Sequence, residues 1–404
     1  MPHFQKRLNL LKRRSFFLYV IGFLFAAIGN GLGYIATSWI VVSHGGGVTA
    51  VAILMTCFWG PNVILGPFMG VLADRMSRKW MMVISDFIRA ILYITFSIYL
   101  LHDFSVNVIY VMMLCVGITF SLFFSCAYAF MRELVSEKEL IYANSTVDII
   151  YESGSLIGMA VAGFLIAWTS AETAILINGI AFLIATLTMI CIPKKALCYG
   201  EKSSEKKQLE IIKDFREGLT YLWQQKKLMS IYTIQLLIFI TYLTTPLLLV
   251  PFSKTILHAT AEQFGIIEAS ASIGIVIGGI FIPWLNEQMS LMRTMLFFSC
   301  VLLIVFAYFG YNRSIPIAAG LYFIIGFAGA IWPLIISKAQ ALTDIEFQGR
   351  VQSTFNSLSG AMIMLFYFTI GYVGNYLGIE HLYFIEVGIT ALAIVFLIQS
   401  RANL

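Results

Sequence analysis

The sequence predicts an all-α polytopic membrane protein: twelve transmembrane helices in two pseudo-symmetric six-helix bundles. Three observations carry this. Hydrophobic residues make up 59% of the chain and charged residues 12%, with a mean hydropathy of +0.87. A soluble domain would need about 25% charged residues to cover its surface. The apolar residues fall into stretches of roughly 20 to 28, each able to cross a hydrocarbon layer of about 30 Å as a helix. One long polar interruption, 194–228, divides the stretches six and six.

The spans lie at about 15–43, 47–73, 79–101, 105–131, 141–169 and 172–193, then 229–257, 260–286, 290–311, 314–340, 349–378 and 381–400. The first follows a basic stretch of Lys6, Arg7, Lys12, Arg13 and Arg14. Its apolar core is too long for a signal peptide, which makes it a retained span. The organisation is an N-terminal bundle (1–193), a linker (194–228) and a C-terminal bundle (229–404). In the linker, Ile212, Phe215, Leu219 and Leu222 recur at helical spacing, with Lys213, Arg216 and Glu217 between them. That pattern predicts an amphipathic helix at the cytoplasmic interface. Residues 194–207 upstream are charged and read as a tether.

Orientation follows from the loops. Of the 26 Lys and Arg residues, all but Lys254, Arg313 and the mid-span Arg89 fall in the two tails, the linker, the loops on their side or the span ends beside those loops. That asymmetry places both termini and the linker in the cytoplasm. The net charge of +5 is therefore a topology signal, with no basic folded face to bind nucleic acid. There is no Gly-rich phosphate loop and no His/Glu zinc motif, so neither cofactor nor metal is expected. No nucleophile–base set points to an enzyme. The six cysteines include no Cys-x-x-Cys and read as buried thiols.

The halves share a plan. Gly66 and Asp74 align with Gly278 and Asn286, and Ser145, Asp148 and Gly163 with Ser353, Asn356 and Gly371. A duplicated six-helix unit is the architecture of transporters that rock two halves about a central site.

Charges inside the bilayer are costly, about 2.5–3.5 kcal/mol on insertion scales, and call for a reason. Asp148 and Glu152 lie in span five at i, i+4, on one helix face. Side by side in low dielectric they are candidates to carry protons or hold a cation. Asp86 and Arg89 in span three, at i, i+3, read as an ion pair or a snorkelling arginine near the cytoplasmic loop. Asn30 sits in Gly29-Asn30-Gly31-Leu32-Gly33, a stretch suited to bending or close packing. Asn30, Tyr34, Tyr151, Gln235, Trp332 and Asn356 are candidates to line a substrate cavity, and Glu268 reads as near the external mouth.

Between spans two and three stands Gly66-Pro-Phe-Met-Gly70-Val-Leu72-Ala-Asp74-Arg75-Met-Ser77-Arg78-Lys79. This stretch resembles the loop signature of the major facilitator superfamily, with Ser77 where the family usually has Gly. The resemblance implies a cytoplasmic gate of Gly66, Gly70, Asp74, Arg75 and Arg78, supported by Asp86 and Arg89. The Asp would sit at the N-terminal end of helix eleven near Val351, favoured by its dipole, and Arg78 would pair with it. Three further stretches are similar to the branch holding macrolide efflux proteins and the enterobactin exporter: Glu133–Leu140 with Ala143-Asn144-Ser145, Phe215–Leu222, and Gly349–Ser353. Two departures stand out. Span five keeps Gly154, Gly158 and Gly163 but has Met159 where the antiporters' proline falls. Span four carries Met112 and Met113 and lacks the arginine of many drug antiporters, so proton coupling would use other residues.

Residues and resemblance together predict a monomeric secondary transporter, surrounded by membrane lipid, exporting a small organic substrate against protons by alternating access. The resemblance implies a drug-like amphiphile or a siderophore. The alternatives are a lysophospholipid or lipid flippase on the same fold, and a non-transporting sensor or scaffold.

Overall fold

In hydrocarbon every backbone N–H and C=O must be satisfied without water, and an α-helix does this within its own segment. The computed structural model contains twelve helices long and apolar enough to cross a membrane, at the places the hydropathy marks. It describes residues 2–136, 139–193, 211–344, 347–374 and 376–400. In chain order the helices are α1 (Pro2–Leu11), α2 (Arg14–Ser43), α3 (Val48–Arg75), α4 (Arg78–Leu100), α5 (Val106–Leu134), α6 (Leu140–Trp168) and α7 (Ala171–Ile190). They continue as α8 (Ile211–Gln224), α9 (Lys226–Thr255), α10 (Ala261–Gln288), α11 (Leu291–Phe309), α12 (Ile315–Gly329), α13 (Trp332–Leu342), α14 (Gln348–Val373) and α15 (Ile379–Ser400).

Buried hydroxyls turn back onto the helix that carries them. Thr37 Oγ1 donates to Gly33 O at 2.6 Å, Thr146 Oγ1 to Tyr142 O at 2.7 Å and Thr186 Oγ1 to Phe182 O at 2.8 Å, so these polar hydrogens do not face apolar surroundings. Helix starts are capped where the sequence allows. Thr260 and Gln263 form a reciprocal capping box at α10, and Ser170 accepts from Thr173 N at α7.

The chain forms two compact units. The first contains α1, α2 to Ile40, α3 from Cys57, and α4 to α7; the second contains 41–56 and everything from α8 onward. In the first, α4 packs on α5 and α7. In the second, α10 packs on α12, α15 on α9 and α11, and α14 on α8 and α9. The 41–56 hairpin is held within the second unit by Thr49 Oγ1, which donates to Gly371 O at 2.5 Å, and by Lys254 Nζ, which donates to Ser43 Oγ at 3.0 Å.

Three local features go beyond the hydropathy reading. The basic N-terminus forms its own short helix, α1. The tenth span is broken into α12 and α13, because Pro333 at the start of α13 has no N–H to donate to Gly329 O. The linker helix exists as α8, yet its Tyr221 and Leu222 are buried in the second unit's core beside Leu228, Ile231, Val351 and Phe355. Part of the face expected at the membrane interface thus packs on protein. Linker residues 194–210 lie outside the described residues.

Candidate functional site

The first unit is organised around a buried guanidinium. Arg89 lies eleven residues into α4, about 16 Å along the helix, and both Arg89 and Asp86 are 0% exposed. Arg89 Nη2 donates to Asp86 Oδ1 at 2.5 Å, Arg89 Nη1 to Asn30 Oδ1 of α2 at 3.3 Å and Arg89 Nε to Ser85 O at 3.4 Å. Its Cζ lies 4.8 Å from the centre of the Phe123 ring and 4.6 Å from that of Phe182, near enough for cation–π attraction. Helix spacing supplies the carboxylate and the aromatic faces supply the walls. Arg89 does not snorkel, and the pair lies in the unit's interior rather than at the loop.

Two of the cavity candidates belong to this centre. Asn30 is the acceptor for Arg89. Tyr151 on α6 packs edge-on against Phe23 (6.0 Å) and Phe124 (5.1 Å), within electrostatic reach of Arg89 and Glu152. The glycines around Asn30 serve close packing: a methyl group at Gly31 would overlap Ser155 O of α6, and one at Gly158 would overlap Ile28 O of α2. Tyr34 is half-buried on the same helix.

Beside Tyr151, Glu152 has an exposed side chain. It stands twelve residues into the 29-residue α6, about 18 Å along a helix of about 43 Å. The exposed stripe around it contains Ser153, Ile149, Ile157 and Val161. Asp148 falls on the same helix one turn earlier, with its side chain outside the described ones.

At the α3–α4 turn, Gly70, Asp74 and Arg75 fall on described backbone, and their side chains are likewise outside what the structure describes. A Cβ placed on Gly66 would lie 3.9 Å from Ser121 Oγ of α5, an ordinary van der Waals contact. Arg78 Nη1 donates to Glu133 Oε1 of α5 at 2.8 Å. Lys79 Nζ donates to Ile190 O (2.8 Å) and Ile192 O (2.6 Å) at the end of α7, where a cation is favoured by the helix dipole. Arg13 forms a fork with Glu139, Nη1 to Oε2 at 2.9 Å and Nη2 to Oε1 at 2.6 Å. Those bonds hold the Glu139 carboxyl below its ordinary value, helped by Ser136 and opposed by partial burial. Glu133 and Glu139 belong to one of the stretches carrying the family resemblance, and both serve as partners of arginines.

In the second unit, Gln235 is buried (2%) on α9, and its Oε1 has no partner among the described residues. Trp332 stacks on Phe239 at 5.2 Å. Asn356 is exposed on α14 and accepts from Gln352 Nε2 at 3.1 Å. Glu268 on α10 is enclosed at 3% exposure, not open at a mouth, and Glu386 on α15 is fully enclosed. Thr244 Oγ1 donates to Glu386 Oε1 at 2.5 Å. Sequence reasoning passed over Glu386, although a lone carboxylate in the apolar run 382–398 was the available signal. Among the described residues no group of three or more His, Cys, Asp or Glu side chains could hold a metal. Cys57, Cys115, Cys126, Cys191 and Cys300 are free thiols, and against the expectation of buried thiols only Cys126 of these five is buried, while Cys191 and Cys300 are exposed.

The Major Facilitator Superfamily model matches residues 18–255 and 232–402. The chain belongs to the major facilitator superfamily. It is 23% identical to the multidrug efflux pump Tap of Mycolicibacterium fortuitum, over 87% of each chain. It is 23% identical to macrolide efflux protein A of Enterococcus faecalis, over 76% of this chain and 94% of that one. It is 25% identical to the staphyloferrin A transporter of Staphylococcus aureus, over 63% and 64%. In fold it matches the crystal structure of the nucleoside transporter NupG, with a TM-score of 0.72 over 96% of this chain and 98% of that one at 14% identity. This superfamily member is thus an integral multi-pass membrane transporter, and the resemblance seen in its loops extends along nearly the whole chain.

Proposed function

We propose that the protein is a proton-coupled exporter of small organic molecules in the bacterial inner membrane, with both termini in the cytoplasm. Drug-like amphiphiles or siderophores are the substrate class, and alternating access of the two units is the mechanism. One observation carries the reading: Glu152 is an exposed carboxylate midway along a membrane-spanning helix. A charge at that depth is not stable against lipid, so an exposed one faces a watered path. A carboxylate on such a path takes a proton from one side and returns it to the other, and its neighbour Asp148, one turn away, shares that role. Tyr151, the residue before Glu152, turns inward against Phe23 and Phe124, in the unit whose interior holds Asn30 and Arg89. The relatives named for multidrug and macrolide efflux support export, and the one named for staphyloferrin A supports a siderophore among the substrates.

The test uses everted vesicles energised with an acid interior and ethidium as a fluorescent cationic amphiphile. The intact protein accumulates ethidium in proportion to the pH gradient, and Glu152→Gln loses that dependence. A Glu152→Gln variant that still follows the gradient places coupling elsewhere. Flux of labelled lysophospholipid without a gradient, in place of ethidium transport, would select the flippase reading.

A further inference from the structure

We propose that the second unit contains its own proton-binding site, centred on Glu386 of α15 and completed by Thr244 and Tyr383, with Glu268 of α10 as a second enclosed acid in the same unit. It deepens the proton-coupled reading and rests on it for what the proton does, though not for the proton's presence.

Glu386 is fully enclosed and Glu268 nearly so. Glu386 Oε1 accepts from Thr244 Oγ1, while Glu386 Oε2, Glu268 Oε1 and the Tyr383 hydroxyl have no hydrogen-bond partner among the described residues. Tyr383, one turn before Glu386, is itself 0% exposed and within electrostatic reach of both carboxylates. Tyr367 of α14 reaches Glu386 in the same way and donates its hydroxyl to Leu243 O, beside Thr244, at 3.3 Å.

No cation faces this group among the described residues. On α9, Lys226 and Lys227 stand at one end of the helix, Lys254 is engaged with Ser43 and Tyr232 pairs with Thr343. On α11, Arg293, Cys300 and Tyr308 are exposed. Two enclosed carboxylates with no counter-ion are tolerated in an apolar interior only as neutral acids. Thr244 Oγ1 has one hydrogen and also lies 2.9 Å from Ile240 O. The neutral Glu386 therefore either donates its proton from Oε1 to Thr244 Oγ1, which then donates to Ile240 O, or carries it on Oε2 and accepts from Thr244 at Oε1. A metal ion would need more oxygens than the walls provide: Phe252 and Phe309 pack on Tyr383 at 5.1 and 4.7 Å.

The placement suits a moving proton. Glu386 and Glu268 each lie seven residues into their helices, about 10 Å from the starts of α15 and α10. Both starts face outward on the loop-charge topology, so the two acids lie at one depth in the outer half of the membrane. Pro246 and Pro251 interrupt the α9 ladder beside Thr244, giving α9 a point at which to bend. Bending there changes the Thr244–Glu386 bond and the outward access of the carboxyl.

The test is infrared titration of the purified full-length protein in nanodiscs, with no substrate present. The intact protein shows an exchangeable protonated-carboxyl band that titrates away at alkaline pH. Glu386→Gln loses the main component, Glu268→Gln loses a separate one, and Thr244→Val shifts the midpoint without removing the band. A spectrum unchanged in Glu386→Gln overturns the inference, and so does a band that responds to sodium at fixed pH. Gradient-driven ethidium transport separates this site from the earlier one. Dependence retained in Glu386→Gln but lost in Glu152→Gln rejects a coupling role for this site and keeps the first reading. Dependence lost in Glu386→Gln but kept in Glu152→Gln does the reverse.

Discussion

Replacing Asp86 by leucine would strand a fully enclosed charge. Arg89 would keep two long hydrogen bonds, at 3.3 Å to Asn30 and 3.4 Å to Ser85 O, and two aromatic faces. Its 2.5 Å bond to a carboxylate would be lost. Breaking a buried pair on one side costs about 3–5 kcal/mol, because an uncompensated charge remains in low dielectric. At about 1.4 kcal/mol per tenfold, the folded population falls by a factor of roughly one hundred to several thousand. Replacing both partners, as Asp86→Leu with Arg89→Met, removes the charge altogether and returns stability to within about 1 kcal/mol of the intact protein, or above it. Equilibrium unfolding in mixed detergent micelles, followed by tryptophan fluorescence, completes a double-mutant cycle. Single variants as stable as the parent would refute the reasoning. So would a double variant whose loss equals the sum of the singles.

Two further outcomes follow from the loops. Glu139 is held below its ordinary value by Arg13, so the stability it contributes is present above the ordinary carboxylate range and is lost as pH falls through the lowered value. For a partly exposed pair this amounts to about 0–1 kcal/mol; unfolding curves of the parent and Glu139→Gln therefore differ near neutrality and converge in acid. Tyr221 stacks on Phe347 at 4.2 Å and shares two hydrogen bonds with Asp344. Tyr221→Ala loosens α8 by about 3–5 kcal/mol, seen as faster proteolysis within 211–224.

The spans were legible because hydropathy averages over about twenty residues, the length that lipid demands. The same averaging hid what matters at single positions. Glu386 disappears into the apolar run of the last span, and the break before Trp332 was signalled only by Pro333. The i, i+3 spacing of Asp86 and Arg89 foretold a pair, but burial depends on helix rotation. The faces of Phe123 and Phe182 enclosing Arg89 come from α5 and α7, and no local pattern announces them. Likewise the glycines of α2 were legible as a packing surface, whereas the carbonyls they meet on α6 were not. The acids of the α5–α6 loop were visible as a motif, and only the fold reveals Arg78 and Arg13 as their partners.

The most direct measurement of proton-coupled export is made in proteoliposomes loaded with a pH dye, with ethidium on one side and a gradient imposed in either direction. The expected result is proton movement opposite to ethidium, reversing when the gradient is reversed. Ethidium movement at the same rate with no gradient, and with no accompanying proton flux, would contradict it.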